Sequence, residues 1–321
     1  MELESQNTQE TWGSERRRTD PSAAHRLAQL QIRAEQGQWD AELALDWQAS
    51  LKLEAVRLSG PLLTPRLKQP WDGLAPTQRA ALVRMCLGEL LTNLACGEQF
   101  VDTTAQALER AHVPEAIRPL LHLQALDEAR HERVLLRYVR EKLGEQVLPH
   151  RFVVAERLPS EANPQKLCWQ AMLAVLLVLE ISALAAIQGL RTYCDEPLCG
   201  QLLRKIVSDE SRHISSLVAA LRLPEAQDPA VQAAVEDAVV LGWQQGLQVT
   251  EEPTRAVAQA MDLMVYPAEV GMRSSPPALE NATDWNFYRQ HIAQTMLPKL
   301  ALCGLLDASL MQRLREAGCP V

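Results

Sequence analysis

The sequence predicts an all-α protein, a four-helix bundle with additional N- and C-terminal helices, and three observations carry that expectation. Leu and Ala dominate, Gly is sparse (14 residues) and aromatics make up only 4%. Leu and Ala lose little conformational freedom on entering a helix, so this composition favours helices. Apolar residues recur at helical spacing through several long segments, and no period-2 strand pattern of any strength interrupts them. The middle of the chain also repeats itself, one helix pair after another.

Helices are expected over Ser22–Gln36 and Asp40–Leu58, then over four long segments: Thr77–His112, Pro114–Leu143, Pro164–Tyr193 and Glu196–Leu221. Further helices are expected near Asp228–Gln248, Pro253–Tyr266, Trp285–Leu302 and Leu305–Ala317. Pro114 suits a first helical turn and Gly144 a position just past a last one. The stretch from Gly60 to Pro70 reads as a connector, and Pro267 to Thr283 as the longest loop. Residues 1–22 read as a disordered tail, and 23–321 as a single domain whose four core helices span about 77–221.

Composition narrows the function classes. With 321 residues, 47% of them hydrophobic, a sizeable core is available. The formal charge of −8 argues against nucleic acid, which demands a basic face. The polar first twenty residues lack the apolar core of a signal peptide, and the seven scattered cysteines contain no C-x-x-C pair. Both fit a cytoplasmic chain with reduced thiols.

From Ala171 to Ile187 only Glu180 and Ser182 interrupt an apolar run. An ionised Glu at its centre is costly in lipid, so a buried bundle helix is expected in place of a membrane span. Even there an isolated carboxylate is expensive unless paired, protonated or bound to a metal.

Shifting the sequence by 82 residues supplies the explanation: Glu98 falls on Glu180, Asp127 on Asp209, Glu128 on Glu210, Arg130 on Arg212 and His131 on His213. Packing positions follow without insertion or deletion, Leu91 onto Leu173, Leu94 onto Leu176, Leu121 onto Leu203 and Leu135 onto Leu217. Each copy thus offers a Glu and, thirty residues later, Glu-x-x-His. Residues three apart share a helix face, so Glu128 with His131, and Glu210 with His213, point the same way on otherwise apolar faces. Four carboxylates in one core repel strongly unless cations offset them. Two divalent ions would do so, and mixed O and N ligands suit iron or manganese better than thiolate-rich zinc sites.

Other candidates read as ordinary. Glu109-Arg-Ala-His112 is also Glu-x-x-His, but its repeat positions are Arg191 and Cys194, so it reads as surface charge. Glu89 lies off the apolar stripe of its helix and has Ala171 as repeat mate. His25, His122, His150 and His291 have no comparable constellation. Asp127 and Asp209, repeated beside the ligands, read as acceptors that fix the His ring tautomers, and Arg130 and Arg212 as their ion-pair partners. Gln124, one turn before Glu128, reads either as a contact to substrate or water, or as a locally paired polar group.

The strings DEARH (127–131) and DESRH (209–213), each preceded by a helical Glu, resemble the ferritin-like diiron oxidase and oxygenase superfamily. That group includes monooxygenase hydroxylases, acyl-carrier-protein desaturases, ribonucleotide reductase small subunits and arylamine N-oxygenases. The resemblance covers about Leu87 to Leu221. It implies a ferritin-like bundle holding two iron ions (Fe2+/Fe3+) on Glu98, Glu128, His131, Glu180, Glu210 and His213, with a manganese–iron pair as the alternative. It also implies cross-site hydrogen bonds, Asp127 to His213 and Asp209 to His131. The implied activity is O2-dependent hydroxylation, N-oxygenation or desaturation of a small, partly apolar or carrier-bound substrate. Since no flavin, nicotinamide or iron–sulfur motif is present, electrons are expected from an external ferredoxin or reductase; a homodimer is expected.

Two departures narrow the resemblance. Leu135 stands one turn after His131, where ribonucleotide reductase subunits usually place a radical Tyr, and Tyr138 is two turns away. Ile206 occupies the position of the additional His of arylamine N-oxygenases. A ferroxidase or iron-storage protein would use the same six ligands, and a non-catalytic interaction module would bind no stoichiometric metal.

Overall fold

The computed structural model describes residues 22–56, 74–144, 168–247 and 285–321. Eight longer helices carry those segments: α1 Ala23–Gln36, α2 Pro76–Arg110, α3 Arg118–Arg137, α4 Trp169–Tyr193, α5 Pro197–Leu221, α6 over 232–247, α7 Trp285–Leu302 and α8 Ala308–Glu316. No strand occurs among the described residues; one isolated bridge joins Val56 to Cys194. The all-α expectation holds. The 1–21 tail, the 60–70 connector, the 253–266 helix and the 267–283 loop fall outside the described residues.

The four central helices form as the repeat requires. α2 packs along α3, α4 along α5, and α2 also meets α4 while α3 meets α5. Pro76, Pro119 and Pro197 sit in the first turns of α2, α3 and α5, where a missing N–H costs nothing. α3 runs on through a π-helical turn, Tyr138–Leu143, and stops at Gly144, whose φ of 67° is left-handed. Its start is four residues later than expected, after a turn closed by Ile117 N–H donating to the Pro114 carbonyl.

α1 lies across α3 and α5, and α7 lies against α4. α6 approaches α4 closely through a glycine face: a Cβ on Gly242 would lie 2.9 Å from Val178 Cβ, and one on Gly246 2.1 Å from Ser182 Oγ. Two helices, Pro76–Arg110 and Trp169–Thr192, are long and apolar enough to cross a membrane, but 83% of the apolar window of α4 is buried within the bundle. The packing of α6 and α7 on it accounts for that apolar run.

One expected helix fails. Among its described residues, 40–56, the expected Asp40–Leu58 helix has only a single turn, Ala41–Ala44, and a short 3-10 segment, Leu53–Ala55. Asp40 caps the turn by accepting from the Glu42 and Leu43 amides. Beyond it the backbone serves tertiary contacts: Lys142 Nζ donates to the Trp47 and Ala49 carbonyls, and Trp47 is buried with its indole N–H on the Ala41 carbonyl at 2.9 Å. The Arg137 guanidinium lies 4.0 Å from the Trp47 ring centroid. Contacts with α3 and its π-helical extension override the helical propensity of this Ala- and Leu-rich segment.

Candidate metal centre

Each central helix sends carboxylates to one buried point: Glu98 from α2, Glu128 from α3, Glu180 from α4 and Glu210 from α5, joined by His131 and His213. All six side chains are at most 5% exposed. Leu94, Val101, Leu121, Leu176 and Ile206 are buried too. The six fall into two overlapping groups, Glu98, Glu128, His131 and Glu210, and Glu128, Glu180, Glu210 and His213, whose ligand atoms lie within 4.8 Å of one another. Glu128 and Glu210 belong to both, and these buried groups could hold a metal ion.

The histidines face the centre through Nδ1. His131 Nδ1 is 3.2 Å from Glu128 Oε2, 3.2 Å from Glu210 Oε1 and 3.8 Å from Glu98 Oε2. His213 Nδ1 is 2.9 Å from Glu128 Oε1, 3.5 Å from Glu210 Oε2 and 3.7 Å from Glu180 Oε2. On the far side of each ring Nε2 meets an aspartate across the repeat: His131 with Asp209 at 2.9 Å, His213 with Asp127 at 3.2 Å. That crossing is the pairing the resemblance implied. Nε2–H donation to a carboxylate leaves the Nδ1 lone pair aimed at the inner carboxylates. Lone pairs on both sides repel, and only a proton or a metal ion between them removes the repulsion.

Arg130 and Arg212 close the outer side. Arg130 Nη2 contacts Asp127 and lies 3.1 Å from Asp209; Arg212 Nη2 lies 2.6 Å from Asp209 and 3.3 Å from Asp127. Two aspartates and two arginines therefore balance, leaving the four inner glutamates only the two imidazoles as neighbours able to carry a positive charge. Glu98 Oε1, Glu128 Oε1, both Glu210 oxygens and His213 Nδ1 are buried and, despite these short approaches, make no well-aligned hydrogen bond. Buried polar atoms are nearly always satisfied. Two divalent cations would match both the four charges and the unpartnered donor atoms.

Protonation follows the same logic. Burial, then the neighbouring Glu128 carboxylate, pushes Glu98 up to about 8. Burial and Glu210 likewise raise Glu180. Burial pulls the two imidazoles down, but it is outweighed by the bond to Asp209 for His131 and by the Glu128 and Glu180 charges for His213, so both are raised. Burial would raise the aspartates, yet the bonds to His213 and His131 hold Asp127 and Asp209 low. Protons thus occupy the metal-free centre where cations would otherwise sit.

No protein-family model matches the chain, and no curated protein matches it. The helical bundle and its buried acid–histidine groups are compatible with a ferritin-like diiron arrangement.

The remaining sequence candidates separate cleanly. Gln124 donates from Nε2 to Glu180 Oε1, a partner on another helix, so it is not locally paired. Exposed His112 lies away from the centre, and Glu109 pairs with His122 at 3.2 Å. Tyr138 is buried and donates to Glu196 at 2.8 Å.

Two contributors escape sequence reasoning. Gln38 Nε2 donates to Asp127 Oδ1 at 2.9 Å while its Oε1 accepts from Arg130 at 2.8 Å. Trp39 Nε1 donates to Asp209 Oδ2 at 2.7 Å, and its ring lies under the Arg130 guanidinium at 4.6 Å. Both follow α1, outside the repeat, and nothing in their local sequence marks them.

Proposed function

We propose that the chain is a non-heme diiron enzyme that uses O2 to oxidise a small, partly apolar organic substrate. The observation that carries this reading is the pair of overlapping ligand groups sharing Glu128 and Glu210, with unpartnered carboxylate oxygens in a buried core. Glu98 and His131 would hold one ion, Glu180 and His213 the other, and Glu128 and Glu210 both. Iron at this site would supply O2 activation and the oxidising power.

The protein's own groups set the conditions. Asp127 and Asp209 hold the imidazoles in the tautomer that presents Nδ1 inward. Gln124 fixes the Glu180 carboxylate by donating to it. Leu94, Val101, Leu121, Leu176 and Ile206 exclude water and offer an apolar approach to substrate. The flavin or iron–sulfur donor, absent as a motif, is supplied by a separate reductase or ferredoxin. A small-molecule substrate and its carrier-bound form meet the same apolar approach.

Metal analysis with Mössbauer spectroscopy of iron-loaded protein tests the assignment. About two irons per chain are expected, coupled as a pair and reactive with O2. Zinc-like or absent loading, unchanged in Glu180→Ala and His213→Ala, overturns it. Native mass separates the ferroxidase alternative, which calls for a cage of many subunits.

A further inference from the structure

Away from the metal centre, α1, α5 and α7 border a cavity of about 270 Å³ that is open to solvent on one side. Four cationic side chains line it: Arg26 and Arg33 from α1, Arg222 after α5 and Lys299 from α7. None of the described residues lining it is acidic. The chain as a whole carries 40 acidic against 32 basic residues, so this concentration runs against the overall balance. We propose that the cavity is a binding site for a small phosphate monoester.

Helix stability accounts for only part of the cluster. Arg33 stands in the last turn of α1 and Arg222 at the C-cap of α5, where a cation complements the helix dipole. Arg26 stands near the start of α1, where the dipole disfavours a cation and where its Nη2 donates to Ser22 Oγ at 3.0 Å, and Lys299 comes from a third helix. Their common feature is the cavity. Arg26 and Arg33 are seven residues apart and so share a helix face.

The lining also selects among anions. Guanidinium forks match phosphate oxygens bidentately, and a dianion draws more from four cations than a carboxylate does. Leu30, Val218 and the buried Ala219 provide an apolar wall for an organic group. The volume lies just under the roughly 300 Å³ at which drug-sized pockets begin, so the ligand is small. The cavity is independent of the metal reading: Ser215 is exposed on α5 whereas His213, two residues earlier, is buried on its inner side.

Calorimetric titration of the full chain with phenyl phosphate tests the site, with benzyl alcohol and benzoate as controls. Saturable binding is expected for phenyl phosphate, weakening as salt is raised. It should fall at least about tenfold in Arg33→Ala/Lys299→Ala, since charge-assisted bonds are lost. Glu180→Ala should retain it, because the phosphate would not be sitting on metal. Absence of saturable binding, equal binding by the double variant, or loss in Glu180→Ala overturns the proposal. Circular dichroism and iron content of the double variant report its fold; should that fail, Lys299→Gln alone is held to the same criterion, a clear loss of affinity.

Discussion

α2 and α4 are repeat mates that place equivalent glutamates at the same centre, yet they occupy different surroundings. α2 keeps buried polar residues, Thr92, Asn93 and Thr104, where α4 has Ala174, Val175 and Ala186. The reason is the second layer: α6 and α7 cover α4, so its outer face is as dry as its inner one. The two glutamates differ as well. Glu180 receives Gln124, but the repeat mate of Gln124 is Ile206, which has no donor to give, and Glu98 Oε1 is left unpartnered. A duplicated site has thus become two unequal halves, set by cover on one side and by a single donor on the other.

The largest test of that inequality separates shared from private ligands. Glu128→Ala or Glu210→Ala should abolish binding of both ions, whereas Glu98→Ala or Glu180→Ala should leave one ion measurable by metal analysis. Equal loss in all four variants would show that the two groups do not act as separate seats.

Next in size come the crossed aspartates. Asp127→Asn and Asp209→Asn should each lower metal affinity about 10–100-fold, as loss of a bond that orients a ligand His does elsewhere. The Asp209 change should perturb the His131 half and the Asp127 change the His213 half, which Mössbauer spectra of the two irons would resolve.

The cover on α4 is probed by Gly246→Ala, whose added methyl meets Ser182. Overpacking of this kind costs about 1–3 kcal/mol, readable as a lower urea midpoint at unchanged metal content.

Proton occupancy gives an opposite pH response in the two states. A carboxyl raised from 4.5 to about 8 holds its proton in the folded chain while the unfolded chain has lost it. Metal-free stability should therefore fall as pH rises from about 4.5 through about 8, and the raised histidines add to the fall above 6.5. Metal affinity should rise over the same window, because binding displaces those protons. Thermal melts of metal-free and loaded protein across that range check both signs.

The smallest effect is expected from the donor that distinguishes the halves. Gln124→Leu removes the bond to Glu180 and should shift metal affinity only a few-fold, at the Glu180 half alone. Ile206→Gln, its mirror, should bring the Glu98 half toward its mate; competition titration with a chelator reads both.

The sequence by itself determined the helical class, the pairing of helices and the six convergent residues. Those rest on local physics: helical periodicity puts Glu-x-x-His on one face, and an exact 82-residue repeat makes two such faces coincide. The tertiary structure alone decided that Gln124 serves Glu180, that Gln38 and Trp39 hold the aspartates from outside the repeat, and that Asp40–Leu58 stays largely non-helical. It also brought Arg26, Arg33, Arg222 and Lys299 to one cavity. Periodicity records which way a residue faces along its own helix. It carries no record of what a distant segment will bring against that face, because those contacts depend on the packing of whole helices.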